Sequence, residues 1–297
     1  MVPPVRRRLS RTAAIASTTI FVAAGLAPTA ADAAPATPQA PPTLAALQAR
    51  AGAADAPGLR SASPGVMANL FEWNWVSVAS ECTDVLGPAG FGGVQVSPPQ
   101  DSLKRSAADQ ADPATGAVTV RHPWWEVYQP VDYALTSRMG DEQQFRAMVT
   151  TCRRAGVKVY VDTVINHGVG QGHTSYGGKT YDTPDPYDQP AVPWTRANFH
   201  VPQGECPTAD GGIADFNNVA QVTRCNLSGL HDLRTETPYV RGKITSYLNR
   251  LIGFGVSGFR VDAAKHIGQT DLDAIRDGLH KTKDGTRPYW ALEVFGG

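Results

Sequence analysis

The feature that most constrains this chain is a repeated alternation of short β-rich runs with helix-like segments. Runs rich in Val, Phe and Tyr at 66–71, 93–96, 157–162, 256–262 and 289–294 each read as a buried strand. The segments at 76–86, 142–155, 239–254 and 271–281 read as helices between them, with Gly87, Gly156 and Gly255 as C-terminal stops. Strands separated by helices pair in parallel, because each crossover must return the chain to the same end of the sheet. The connection from Asn166 to Asp232 is too long and too rich in Gly, Pro and polar residues for one crossover loop, and reads as a small inserted domain after the third strand. With 29 Gly and 23 Pro, a plain helical bundle is excluded.

Upstream of this pattern, Arg6, Arg7, Arg8 and Arg11 precede a small-residue and apolar stretch at 12–27, and Ala31-Asp32-Ala33 has the A-x-A form of a cleavage site. Residues 1–33 are therefore expected to be a secretory signal peptide, too short in its apolar part for a membrane anchor. Residues 34–63, mostly Ala, Pro and Gln, read as a linker or propeptide. Export suits the four cysteines, Cys82, Cys152, Cys206 and Cys225, as two disulfides, and spacing alone allows three pairings. The absence of any C-x-x-C disfavours a zinc ribbon or a thioredoxin-type site. A balance of 27 basic against 27 acidic groups gives no basic surface for nucleic acid.

Three carboxylates fall at strand ends. Asp162, Asp262 and Glu293 each stand at or near the C-terminal end of an expected strand, the face on which a parallel barrel builds its chemistry. Any one alone reads equally well as a helix cap; three in register do not. Arg260 and Asp262 are two apart on a strand and so project to one face, where the guanidinium would keep the carboxylate ionised, as a nucleophile requires. Glu293 follows Trp290-Ala291-Leu292, an apolar setting expected to raise its pKa, as a proton donor requires. A low and a high carboxyl on neighbouring strands, about 5 Å apart, is the pair used by retaining glycosidases.

Taken together, Asp162-Thr163-Val164-Ile165-Asn166-His167, Gly258 to His266, and Glu293 resemble the first three signature regions of the α-amylase family, in order. Leu70 to Trp75 and Gly92 to Pro99 are most similar to its animal-type and actinobacterial members. The resemblance runs from about Pro64 onward. It implies an α/β fold, a TIM (β/α)8 barrel of which about five strands are present. Barrel segments would occupy 64–166 and 233–297, and the inserted domain 167–232. It also implies Asp262 as nucleophile, Glu293 as general acid/base and Arg260 as the group that keeps the nucleophile ionised. His167 and His266 would contact sugar, Trp124, Trp125, Tyr128 and Gln129 would line the non-reducing side of the cleavage point, and Lys265 the reducing side. Three aromatic groups within five positions also suit an exposed loop platform, although at least one Trp is expected to anchor the loop instead.

Asn166, Asp232 and the carbonyl of His266 are oxygen donors of the kind Ca²⁺ prefers, to which the resemblance adds the carbonyl of Thr223. By residues alone Asp232 could equally cap the following helix; the family context favours calcium. The same resemblance implies the pairings Cys82 with Cys152 and Cys206 with Cys225. The family barrel has eight strands and a C-terminal β-domain, whereas this chain ends at Gly297. Strands six to eight, the fourth signature region with its third carboxylate, and any chloride ligands are thus expected to lie outside it, which leaves chloride open. The expectation is a secreted, calcium-dependent retaining endohydrolase of α-1,4-glucan such as starch. It would be monomeric when full length, with no nucleic-acid partner and no membrane attachment after signal removal. Transglycosylation, or glucan binding without hydrolysis by this truncated chain, are the alternatives.

Overall fold

Local signals in the chain start and stop each element of the sheet-and-helix unit. The computed structural model describes residues 63–106, 110, 111, 114–118, 121–170, 174–181 and 194–295, together with Thr43, Ala45, Ala46 and Ala49. The expected signal peptide, and nearly all of the expected linker, lie outside these residues. Strand β1 (Ser63–Leu70) leads into α1 (Trp75–Glu81), whose N-cap Asn74 accepts the Ser77 N–H at 2.8 Å. A π-helical turn (Cys82–Leu86) ends at Gly87. This glycine is required by close approach and not by handedness, since a Cβ there would lie 2.7 Å from the Ala155 carbonyl oxygen. Strand β2 (Phe91–Val96) follows, and a two-stranded antiparallel ribbon is formed by β3 (Asp101–Ser102) and β4 (Pro130–Asp132). Helix α2 (Glu142–Arg154) opens on a capping box in which Asp141 and Gln144 each accept the other's backbone N–H. Next come β5 (Lys158–Thr163), the one-turn α3 (Val219–Val222), and α4 (Pro238–Phe254), with proline in its first turn and Gly255 left-handed at its end. The unit closes with β6 (Gly258–Val261), α5 (Gln269–Asp277) and β7 (Tyr289–Leu292).

Five strands pair in the order β1-β2-β5-β6-β7, every neighbour parallel, giving a curled half-barrel. Alternation sorts the faces. Val94, Val96, Val159, Val161, Phe259 and Val261 are buried in one core with Phe145, Met148, Ile244, Leu248 and Leu251 of the helices. The intervening positions, among them Asp162, Arg260 and Ala291, project to the opposite, concave face.

Not every expected strand is buried. In β1, Val66 and Met67 are about half exposed, and in β7 Tyr289 is as well, because each of these strands has a partner on one side only. Both expected disulfides are present: Cys82–Cys152 ties the π-helical turn after α1 to α2, and Cys206–Cys225 closes a loop within 167–232. The ends of that long segment meet in an antiparallel bridge between His167 and Asp232. Among the described residues, no helix is long and apolar enough to cross a membrane.

Candidate active site

Arg260 is the centre of the concave face. Its register partner across β5–β6 is Asp162, so the two side chains rise together, and Nη1 donates to both carboxylate oxygens at 2.7 and 2.8 Å. The same nitrogen donates to Asp262 Oδ1 at 2.8 Å, and Nη2 pairs with Glu293. One guanidinium thus serves three carboxylates at the ends of β5, β6 and β7. Although burial works against its charge, these acids hold Arg260 more firmly protonated than a free arginine.

This stoichiometry departs from the electrostatics expected at Asp262 and from the setting expected for Glu293. Asp262 was expected to be kept ionised by Arg260; instead burial, with the neighbouring Asp162 charge, pushes its pKa up to about 7, and the Arg260 it shares does not offset this. Burial also raises Asp162. Glu293 was expected in an apolar setting. Its side chain is a third exposed, lies against Arg260, and accepts the Ala263 N–H at 3.0 Å. The apolar neighbours Trp290 and Leu292 alternate to the other face, so adjacency in sequence misjudged the surroundings.

The expected aromatic loop is a short 3-10 helix, Trp124–Tyr128, that splits its aromatic residues between two roles. Trp124 is exposed and meets Tyr128 edge-on at 5.7 Å; Phe71, at the end of β1, stacks on Tyr128 with centroids 6.5 Å apart. Tyr128 also donates its hydroxyl to Asp162 at 2.8 Å. Trp125 turns the other way, onto the small cluster of Leu103, Val131, Val169 and Tyr181, under the Arg105 guanidinium. It is the anchor. Gln129 ends the turn, its carbonyl accepting the Leu103 N–H.

His167 is buried, and that burial lowers its pKa to about 4. The neutral ring donates Nε2–H to the Tyr128 carbonyl at 3.0 Å. Glu293 also lines a cavity of about 490 Å³, together with Lys265, His266, Phe216, Asn217, Leu227 and Phe295. Lys265 donates to the Phe295 carbonyl, while His266 donates Nδ1–H to the Val222 carbonyl at 2.8 Å.

Among the expected calcium donors, Asn166 and Asp232 are buried and in contact, with Asn166 Nδ2 donating to Asp232 Oδ1 at 3.2 Å. Thr223 and His266 are brought near one another by the His266–Val222 bond. Burial raises Asp232 to about 7. No group of three or more His, Cys, Asp or Glu side chains suited to a metal occurs among the described residues, so any cation here must rest on carbonyl and amide oxygens as well. Four residues of this region went unassigned from sequence. Asp162 was noticed only as a strand-end acid, and Phe71 only as part of a motif. His200, 2.7 Å from Asp232, and Phe216, edge-on to His266, carried no local signal.

Comparison with known proteins points to one family. Residues 113–290 match the model of the α-amylase catalytic domain. The chain is 45% identical to pancreatic α-amylase of Sus scrofa over 234 residues, 76% of this chain and 43% of that protein, and 44% identical to the Homo sapiens pancreatic enzyme over the same shares. Wild-type α-amylase I of Eisenia fetida superposes with a TM-score of 0.70 at 41% identity, covering 78% of this chain and 45% of that one. A maltohexaose complex of a mutant of that enzyme matches equally well, at 40% identity. A parallel half-barrel with strand-end carboxylates is the frame of a glycoside hydrolase, and the chain belongs to the α-amylase family. It spans less than half the length of the curated relatives it matches.

Proposed function

We propose that this chain carries the catalytic centre of a secreted, retaining α-amylase that cleaves internal α-1,4 bonds of starch-type glucans. The observation that carries the reading is the single guanidinium contacting Asp162, Asp262 and Glu293 at three adjacent strand ends. Asp262 attacks the anomeric carbon while Glu293 protonates the departing glycosidic oxygen; Glu293 then takes a proton from the water that releases the sugar. Two carboxylates within reach of one guanidinium suit the short separation that double displacement needs. Arg260 draws Asp262 toward its ionised form as positive charge develops on the sugar. Phe71, Trp124 and Tyr128 receive the apolar faces of the glucan on one side, and the cavity beside Lys265 and His266 takes the leaving portion on the other. The maltohexaose complex of the Eisenia fetida relative supports the substrate class. In a starch-hydrolysing polypeptide that carries this sequence, Asp262→Asn and Glu293→Gln should each lower reducing-sugar release by several orders of magnitude, while Trp125→Ala costs far less. Products should appear first as the α-anomer by NMR. Near-normal turnover in the Asp262 variant would sink the assignment.

Segment 167–232 is read as the inserted domain, clamped to the barrel by calcium. Asn166, Asp232 and the carbonyls of Thr223 and His266 would hold the ion. The fit rests on Asp232, a buried carboxylate whose neighbours are an amide and a histidine, and whose charge a divalent cation would balance. When bound, the ion supplies a rigid link between insert and barrel. Chelation should lower the thermal midpoint, and added calcium should restore it, because a ligand of the folded state alone stabilises by mass action. Asp232→Ala should remove that response; a midpoint indifferent to chelator would refute the site.

A further inference from the structure

Behind the aromatic turn lies a polar node that the reaction above does not use. The Glu126 side chain is wholly buried, yet its carboxylate is surrounded by donors. Oε1 accepts the Arg105 N–H at 3.0 Å. Oε2 accepts the Tyr176 hydroxyl at 2.7 Å, faces His122 Nδ1 at 3.2 Å and lies 3.7 Å from the Arg138 guanidinium. Arg138 in turn pairs with Glu72 and donates to the carbonyls of His122 and Pro123.

The node therefore gathers the loop after β1, the chain after β3, the start of the aromatic turn and, through Tyr176, the long insert. Two of its members, Glu72 and His122, have φ of 66° and 50°, a left-handed conformation that non-glycine residues avoid and that persists only where surroundings impose it. A buried carboxylate is a costly way to fasten a loop that apolar packing could hold. What it adds is geometry. On the open side of the same turn stand Trp124 and Tyr128, against Phe71, the residue next to Glu72.

We propose that Glu126 is a positioning residue for glucan binding: through Tyr176 and Arg138 it locks the insert and the β1 loop onto the aromatic turn, and so aligns Phe71, Trp124 and Tyr128 as one stacking platform leading to Asp162 and Arg260. The proposal rests on the α-glucan reading given above. Glutamate is essential because it only accepts, and every group that faces it can donate. Glu126→Gln would set an amide N–H₂ against a cation or another donor, forcing one arm of the node to let go. Tyr176→Phe would release the insert arm alone.

A double-mutant cycle tests this, read by fluorescence titration of the chain with maltoheptaose at sub-micromolar protein and well below the thermal midpoint of every variant. Glu126→Gln should weaken binding about tenfold in the wild-type background, and less than about twofold in Trp124→Ala, where the platform is already gone. Tyr176→Phe, the milder change, should follow the same pattern if Glu126→Gln folds poorly. A merely structural role would give equal losses in both backgrounds, and that result, or no loss in either, overturns the proposal. If the wild-type chain binds no maltoheptaose, the glucan reading itself fails and this proposal with it. Wild-type binding with unaffected variants removes the positioning role alone.

Discussion

Asp262 and Glu293 are the same chemical group at the ends of neighbouring strands, and in this chain their surroundings differ. Asp262 follows β6, which is hydrogen-bonded to β5 on one side and β7 on the other, and its carboxylate is nearly inaccessible. Glu293 follows β7, paired on one side only, and its flanking residues Val294 and Phe295 are 62% and 84% exposed. Asp262 is thus held where burial opposes its charge, and Glu293, in this chain, where solvent reaches it. Holding a carboxylate in place by burial costs stability that a solvated carboxylate does not.

The largest expected sign of this difference is in stability against pH. Folding raises Asp262 from an exposed value of 3.8 to about 7, so the folded state retains a proton that the unfolded chain releases. Stability should therefore fall as pH rises from about 4 to about 7, and the loss should be complete above that range. Asp262→Asn removes this pH-dependent loss. In urea unfolding at pH 8 that variant should be more stable than wild type by about 2–4 kcal/mol, with the gap narrowing toward pH 4. Glu293→Gln, a third exposed, should change stability by less than about 1 kcal/mol at either pH. An Asp262→Asn protein less stable than wild type at pH 8 would show that Arg260 compensates this carboxylate after all.

Much of the frame was legible because its rules are local. Short runs rich in Val, Phe and Tyr, with terminal glycines, locate the central strands and helices to within a few residues, and the i, i+2 spacing of Arg260 and Asp262 puts them on one face without knowledge of the fold. What needed the structure was non-local. Asp162 meets Arg260 because residues 98 apart in sequence share a register, and no window around either one contains that fact. Trp124 and Trp125 are identical and adjacent, yet a 3-10 turn sends one to solvent and the other to an anchor; composition treated them alike. Tyr289 to Leu292 reads as apolar strand wherever it lies, and only the strand order reveals that it has one neighbour. The environment of Glu293 was misjudged for the same reason, since the residues beside it in sequence are not those beside it in space. The Cys82–Cys152 pairing came from family resemblance, as did Cys206–Cys225, because spacing alone could not choose among three.

The smallest expected effect isolates the one-sided pairing itself. A strand bonded on one side presents backbone donors and acceptors to whatever approaches, and exposed apolar side chains beside them favour pairing with another chain. In this chain Tyr289 in β7, with Val294 and Phe295 just beyond it, supplies that apolar surface, and Val66 and Met67 do so along β1. Sedimentation velocity over a range of protein concentrations should reveal self-association. Val294→Lys should reduce it, since a charge beside an edge must be desolvated when another strand docks. Because Val294 is already largely in solvent, the same change should shift folding stability by no more than about 0.5 kcal/mol. Association that persists undiminished in this variant would place the sticky surface elsewhere. A large loss of stability would mean that the end of β7 is packed in solution, and the contrast between Asp262 and Glu293 would then rest on burial alone, without a contribution from strand pairing.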